Sequence, residues 1–410
     1  MRRKPGLDGL DRLGGFGGHG RAIACGLLLL GGCTQDGLSP GAGDGGAKVD
    51  LAASPPDLAQ QPDLAQQPDL AQVPHAALPQ IPFNGGRLLT NVSVVTITWK
   101  DDPLESQLQS FDKWVVGSDY FLRSLTEYGV KSGAQAAVYS IPRPAPMALD
   151  DKDVQMLLKA LVESQAVPGV TPDRVYNVYI PDGVTFTGDF GGQIKYTACT
   201  EFLAYHNIGP TVAGGPIIYA VTPRCHQMGI TDLDYATWNG SSVLARVSTD
   251  PTFSGWYVPM PDASTPFGGD VASLCQSFLL NQSGYAVTAL YSNMAARQDL
   301  RPCIPAPGGP MFGAPPDPDT LQLNPGDSGK STLHAYTTAP LPKPLKVTVG
   351  AYPLGQITAK ASSVLVQSGD SVTLDVSIAK NAKSGTQAVV IVRTDAPDYH
   401  WENYVLVYIL

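Results

Sequence analysis

Six cysteines and six histidines are the residues of this 410-residue chain best fitted to redox, metal or acid–base chemistry. Cys199, Cys225, Cys275 and Cys303 lie in a loop-rich stretch, and the first two and the last two are each fewer than thirty residues apart. Four cysteines allow three pairings; the expectation is Cys199 with Cys225 and Cys275 with Cys303, each bridge stabilising by about 2–4 kcal/mol. Zinc is the competing use of four thiols, but no Cys-x-x-Cys spacing occurs. His206 follows Cys199 closely and His226 directly follows Cys225, so a bridge between those cysteines would bring two imidazoles near each other. Asp232, Asp234, Asp250 or Asp270 would add an oxygen ligand, and this is the metal site the residues could build. The plainer outcome is a pair of surface histidines beside a disulfide.

Nucleophilic chemistry has less to draw on. There is no Gly-x-Ser-x-Gly elbow, phosphate loop or dinucleotide fingerprint. Gly326-Asp327-Ser328-Gly329 resembles the nucleophile loop of chymotrypsin-like proteases but lacks the following glycine, and Asn324-Pro325-Gly326-Asp327 reads better as a β-turn. Trp238, Trp256 and Tyr257 would line a sugar- or peptide-binding groove or, more simply, pack in a core.

The amino terminus gives an address. Arg2, Arg3, Lys4, Arg12 and Arg21 precede Leu27-Leu28-Leu29-Leu30-Gly31-Gly32-Cys33, an apolar run too short to span a bilayer and closed by small residues. Leu-Gly-Gly-Cys resembles the bacterial lipobox, which implies that residues 1–33 are a lipoprotein signal peptide and that Cys33 carries the lipid. The expected partner is therefore a membrane, reached through a lipid anchor, and the expected place is the cell envelope. Thr34 after Cys33 resembles the outer-membrane-sorted kind. Removing residues 1–33 takes five of the 27 basic and two of the 36 acidic residues, leaving a net charge near −12, which argues against nucleic acid as a partner.

Behind these residues stands a chain whose 43% hydrophobic and 15% charged content belongs to globular domains. From Thr34 to about Pro82, Gly, Pro, Ala and Gln dominate, and Pro-Asp-Leu-Ala-Gln recurs from Pro56, Pro62 and Pro68. Proline in every unit blocks helix and ladder alike, so residues 34–82 read as a disordered tether. Val92 to Trp99 is β-branched and bounded by turn residues, a strand. Leu104, Leu108, Phe111 and Val115 mark an amphipathic helix, Ser118 caps a second, and a third follows Asp150-Asp151. Val175 to Ile180 is a further strand. Residues 83–315 are thus expected to form a central α+β or α/β domain, loop-rich and disulfide-bridged.

Asn84-Gly85-Gly86-Arg87 leading into Val94-Val95-Thr96-Ile97-Thr98-Trp99, with Tyr219-Ala220-Val221 and Pro223-Arg224-Cys225, resembles a group of uncharacterised secreted bacterial proteins, and more distantly the plant EXORDIUM or phosphate-induced family. The resemblance implies a zincin-like domain in which a His-Glu-x-x-Glu helix binds zinc and activates water. This chain keeps the frame, Ser242 to Pro251 followed by Trp256 and by Asp270 to Cys275. Ser242 stands at the histidine, Val243 at the catalytic glutamate and Arg246 at the second ligand. Valine moves no proton and arginine repels a divalent cation. The motif is degenerate, with no cofactor expected, and Asp250, Trp256 and Asp270 are expected around the former cleft, Asp270 as the charge partner of Arg246.

Residues 320–410 alternate in short segments between turns and are expected to form an all-β, immunoglobulin-like sandwich. The functional expectation is an envelope-anchored surface lipoprotein with a binding or structural role toward an envelope or extracellular ligand, a pseudoenzyme on a metallopeptidase-like domain. The alternative is a secreted hydrolase, a metal-dependent peptidase using zinc at His206 and His226 or an enzyme acting on cell-wall material through a non-standard site.

Overall fold

The structure is a computed structural model that describes residues 73–189, 195–258, 265, 269–305 and 309–410; the expected export signal, Cys33 and the expected tether as far as Gln72 lie outside the described residues. Strands dominate it. A five-stranded sheet organises the first half: β1 (Asn91–Trp99), β2 (Ser132–Ile141), β3 (Arg174–Ile180), β4 (Tyr205–Val212) and β5 (Gly215–Pro223), in the spatial order β2-β1-β3-β5-β4. The pairs β1·β2, β1·β3 and β3·β5 are parallel, while β4 returns antiparallel on the edge beside β5. Parallel neighbours need crossovers: α1 (Glu105–Val115) and α2 (Asp119–Leu125) lie between β1 and β2, α3 (Asp151–Glu163) between β2 and β3, and the connection from β3 to β5 runs through short strands and β4.

Period-two alternation then splits the strand side chains between two cores. Val94, Val175, Tyr179, Ile218 and Ala220 pack with Leu108, Phe111 and Val115 of α1, whereas Val95, Tyr176, Val178, Ile217 and Tyr219 pack with Val154, Leu158 and Leu161 of α3. Covered on both faces, β3 and β5 are buried almost end to end. The first half is accordingly a three-layer α/β arrangement.

The long helix α4 (Asp232–Thr249) follows β5 and lies on the α1 face, with Val243, Leu244 and Val247 at 0% exposure. Thr231 caps it by accepting the Asp234 N–H at 3.1 Å. At Gly240 an added Cβ would lie 2.9 Å from the Tyr179 hydroxyl and 3.0 Å from Phe111, which is why α4 approaches the sheet so closely.

The second half is a two-sheet sandwich. Pro316–Asp317, Ser328–His334, Ser371–Ile378 and Ile357–Ala361 form one sheet, and Thr320–Leu323, Tyr399–Ile409, Thr386–Ala396, Leu345–Tyr352 and Leu365–Val366 the other. Along Ser371–Ile378, Val372, Leu374, Val376 and Ile378 point inward in strict alternation, meeting Val347, Val390, Val392, Val405 and Val407. Asn324 and Asp327 close the turn expected there, Asp327 donating its N–H to the Asn324 carbonyl at 3.0 Å. One apolar cluster holds residues of both halves. Arg301 crosses between them, pairing with Asp398 at 2.8 Å and sitting over the Tyr399 ring.

Residues 73–82 differ from a tether. They run extended along the folded body, with Leu78 6% and Ile81 1% exposed, and His75 stacks on Tyr336 at 4.0 Å. Phe83 bridges to Trp256 and Gly86 donates its N–H to the Ser254 carbonyl at 2.6 Å.

Candidate functional site

The expected disulfides are present: Cys199 pairs with Cys225 and Cys275 with Cys303. The second bridge pins the segment that carries Asp270 and Gln276 against the sandwich side of the molecule, with both sulfurs buried.

The residues singled out on α4 separate by helix face. Val243 lies wholly within the core, and Ser242 is 5% exposed. The expected cleft therefore does not open at these two positions, because helix and sheet close over them. One turn on, Arg246 emerges and meets Asp270 at 3.2 Å, both side chains about one-fifth exposed. The contact is charge against charge without a well-aimed hydrogen bond, since the Arg246 Nε–H finds no acceptor in line. Arg246 also reaches Gln276 Oε1 at 3.4 Å. Asp270 lies opposite Tyr257 in a two-residue antiparallel ladder and accepts the N–H groups of Ala272 and Ser273 at 2.9 and 2.8 Å. Burial acts to raise its carboxyl, but the Arg246 guanidinium and those N–H groups outweigh it and hold the pKa below the usual 3.8. Asp270 is an anion here, and its countercharge is a guanidinium.

Asp250 closes the helix. Its N–H donates to the Arg246 carbonyl at 2.8 Å, its Oδ1 accepts the Gly255 N–H at 2.6 Å, and it is 4% exposed rather than lining a cleft. Burial pushes its carboxyl up to about 7. His206, reaching across from β4, sets its Nε2 2.8 Å from the Asp250 carbonyl. A carbonyl only accepts, so Nε2 carries the proton. The ring stacks on Phe253 at 4.8 Å, and burial lowers its pKa to about 4, keeping it neutral at pH 7. Trp256 is half-buried, packed edge-on against Tyr128 and tilted against Phe83.

His226 is elsewhere. It bridges Asp182 and Asp232 at 2.7 Å from each ring nitrogen, half-exposed, and shares no partner with His206. The bridge Cys199–Cys225 thus does not unite the two imidazoles, because β4 carries His206 away to the end of α4. Among the described residues no three His, Cys, Asp or Glu side chains are grouped to hold a metal ion. Around Arg246 the donor set does not fit zinc either: a fixed cation already neutralises Asp270, and the only imidazole has given one nitrogen to a backbone carbonyl. Sequence reasoning had no signal for Phe253 or Gln276, whose roles depend on where two irregular loops fold back.

No protein-family model matches the sequence, and comparison with curated proteins finds no match. Among solved structures the chain is similar to domains 4 and 5 of the S-layer protein SbsC, at 13% identity over 25% of this chain and 47% of that one, with a TM-score of 0.20. It is also similar to a fragment of titin spanning I67–I69, at 18% identity over 24% of this chain and 32% of that one, TM-score 0.17. A chaperone–tip adhesin complex of CFA/I fimbriae is similar at 14% identity over 24% of this chain and 54% of that one, TM-score 0.19. The chain spans about half the length of the SbsC fragment. Likenesses this partial say nothing about what the chain does.

Proposed function

We propose that this chain is an envelope-anchored surface lipoprotein with a binding or structural role, built on a zincin-like, metallopeptidase-like domain whose catalytic site is degenerate. The observation that carries the reading is the Arg246–Asp270 pair. Where the resembling family has a ligand to a divalent ion, this chain has a cation of its own, matched to a carboxylate that backbone N–H groups fix in place. Val243, at the position of the general base, offers no lone pair and is sealed in the core. An immunoglobulin-like role for residues 320–410, spacing the first half or presenting it, fits the same reading. The metal-dependent form of the hydrolase alternative needs His206 and His226 on one ion, and their partners are separate.

Anchoring rests on Leu30-Gly31-Gly32-Cys33. Several acyl chains at about 0.8 kcal/mol per buried CH₂ hold a protein firmly to a bilayer. Replacing Cys33→Ser in the producing cell should block lipidation and move the protein from the membrane to the soluble fraction. Membrane fractionation identical to that of the unaltered protein would refute the anchor.

A further inference from the structure

Leu78-Pro79-Gln80-Ile81-Pro82 is held by the folded body as a bound peptide is held. Asn293 accepts the Ile81 N–H through Oδ1 at 2.9 Å and donates from Nδ2 to the Ile81 carbonyl at 2.8 Å. Tyr291 donates its hydroxyl to the Pro79 carbonyl at 2.6 Å, and Arg297 Nε donates to Gln80 Oε1 at 2.9 Å. Leu78 and Ile81, the two side chains buried in the core, stand three residues apart, the period of a polyproline II turn. Asn293 is itself fixed: its N–H donates to the Tyr128 hydroxyl at 3.0 Å, and that hydroxyl donates to the Tyr291 carbonyl at 2.9 Å. One amide side chain that satisfies both backbone groups of a residue recognises an extended backbone, while the buried positions select side chains.

The same pattern recurs upstream. Leu58-Ala59-Gln60-Gln61-Pro62, Leu64-Ala65-Gln66-Gln67-Pro68 and Leu70-Ala71-Gln72-Val73-Pro74 place leucine, glutamine and proline as residues 78, 80 and 82 do. The first two put glutamine at the position where Ile81 is 1% exposed, and a buried amide without partners is costly. The third puts valine there, shorter by one methylene and still β-branched.

We propose that Tyr291, Asn293 and Arg297 form a binding site for extended Leu-x-Gln-(Ile/Val)-Pro peptide, filled here by Leu78–Pro82. Leu70–Pro74 of the same chain is its second ligand, docking eight residues out of register when Leu78–Pro82 leaves. The covalent link supplies a high effective concentration for that exchange. The slip shortens the stretch between Cys33 and the site by eight residues, about 25 Å of reach at about 3 Å per residue. The site stands apart from Arg246 and does not depend on the reading given to it.

Hydrogen exchange measured by mass spectrometry on the full mature chain tests the proposal. In the unaltered protein, the Ile81 amide should exchange slowly, because Asn293 accepts it, and the Ala71 to Val73 peptide faster. In Leu78→Ser/Ile81→Ser, Ala71 to Val73 should become about tenfold slower, and adding Asn293→Ala should abolish that protection. A folded double variant, judged by its thermal melt, in which Ala71 to Val73 exchange as fast as before would overturn the idea. Should the double variant fail to fold, the anchor exchange Val73→Ile/Ile81→Val keeps the core volumes close, and it too must slow Ala71 to Val73; unchanged rates there overturn the proposal equally.

Discussion

Arg246 and Asp270 are a matched pair in a setting about one-fifth exposed, so neither charge is free of cost and neither is easily left alone. Asp270→Asn should lose about 1–3 kcal/mol, because the guanidinium then faces a neutral amide in a nearly closed space. Arg246→Met, removed together with Asp270→Asn, should recover much of that loss, and a double-mutant cycle by chemical denaturation measures the coupling. His226 supplies a pH test. Its pKa lies above 6.5 through its bonds to Asp182 and Asp232, and the Asp182 carboxyl is held below 3.8 chiefly by the bond to His226. The raised imidazole contributes stability that is complete below its unfolded pKa and disappears as pH rises through its folded one. The Asp182 contribution is present above 3.8 and is lost as pH falls through the depressed value. His226→Gln should therefore cost more at about pH 5.5 than at about pH 8.5. An equal cost at both would show that the imidazolium bridge does not form in solution. At this scale the sequence disclosed that Val243 and Arg246 supply neither a metal ligand nor a general base, since side-chain type alone decides it. It did not disclose that His206 and His226 part company, because that follows from an antiparallel edge strand whose direction no local pattern encodes.

Helix α4 owes its position to a missing side chain. Gly240→Ala would gain up to about 1 kcal/mol in helix propensity, but overpacking against Tyr179 and Phe111 costs about 1–3 kcal/mol, so a net loss of stability is expected in thermal melts. A more stable variant would mean that α4 has room to move away from the sheet. Elements with strong periodicity were the legible ones. Val175 to Ile180 and Ser371 to Ile378 stand in the structure as the alternation and turn residues place them, and the amphipathic stretch after Leu104 is α1. The strand Ile357–Ala361 and the edge strand β4 passed unread, since Tyr205–Val212 carries a glycine and a proline and Ile357–Ala361 has one bulky apolar residue. What fixes them is pairing with neighbours far along the chain, to β5 in one case and to Ser371–Ile378 in the other.

For the molecule as a whole, two short-range disulfides, a shared apolar cluster and the segment from Val73 to Gly86 tie together stretches that composition alone divides. Residues 73–82 looked like tether because proline content dominates a local reading, yet two buried side chains and one asparagine suffice to dock them. None of the described helices is long and apolar enough to cross a membrane. The proposed replacement of a catalytic metal by a built-in cation is tested most directly by elemental analysis of the purified mature chain, paired with a casein-hydrolysis assay. Zinc well below one ion per chain and no hydrolysis, before or after zinc is added, are the expected results. One tightly held zinc per chain, with hydrolysis that a chelator abolishes and zinc restores, would contradict it.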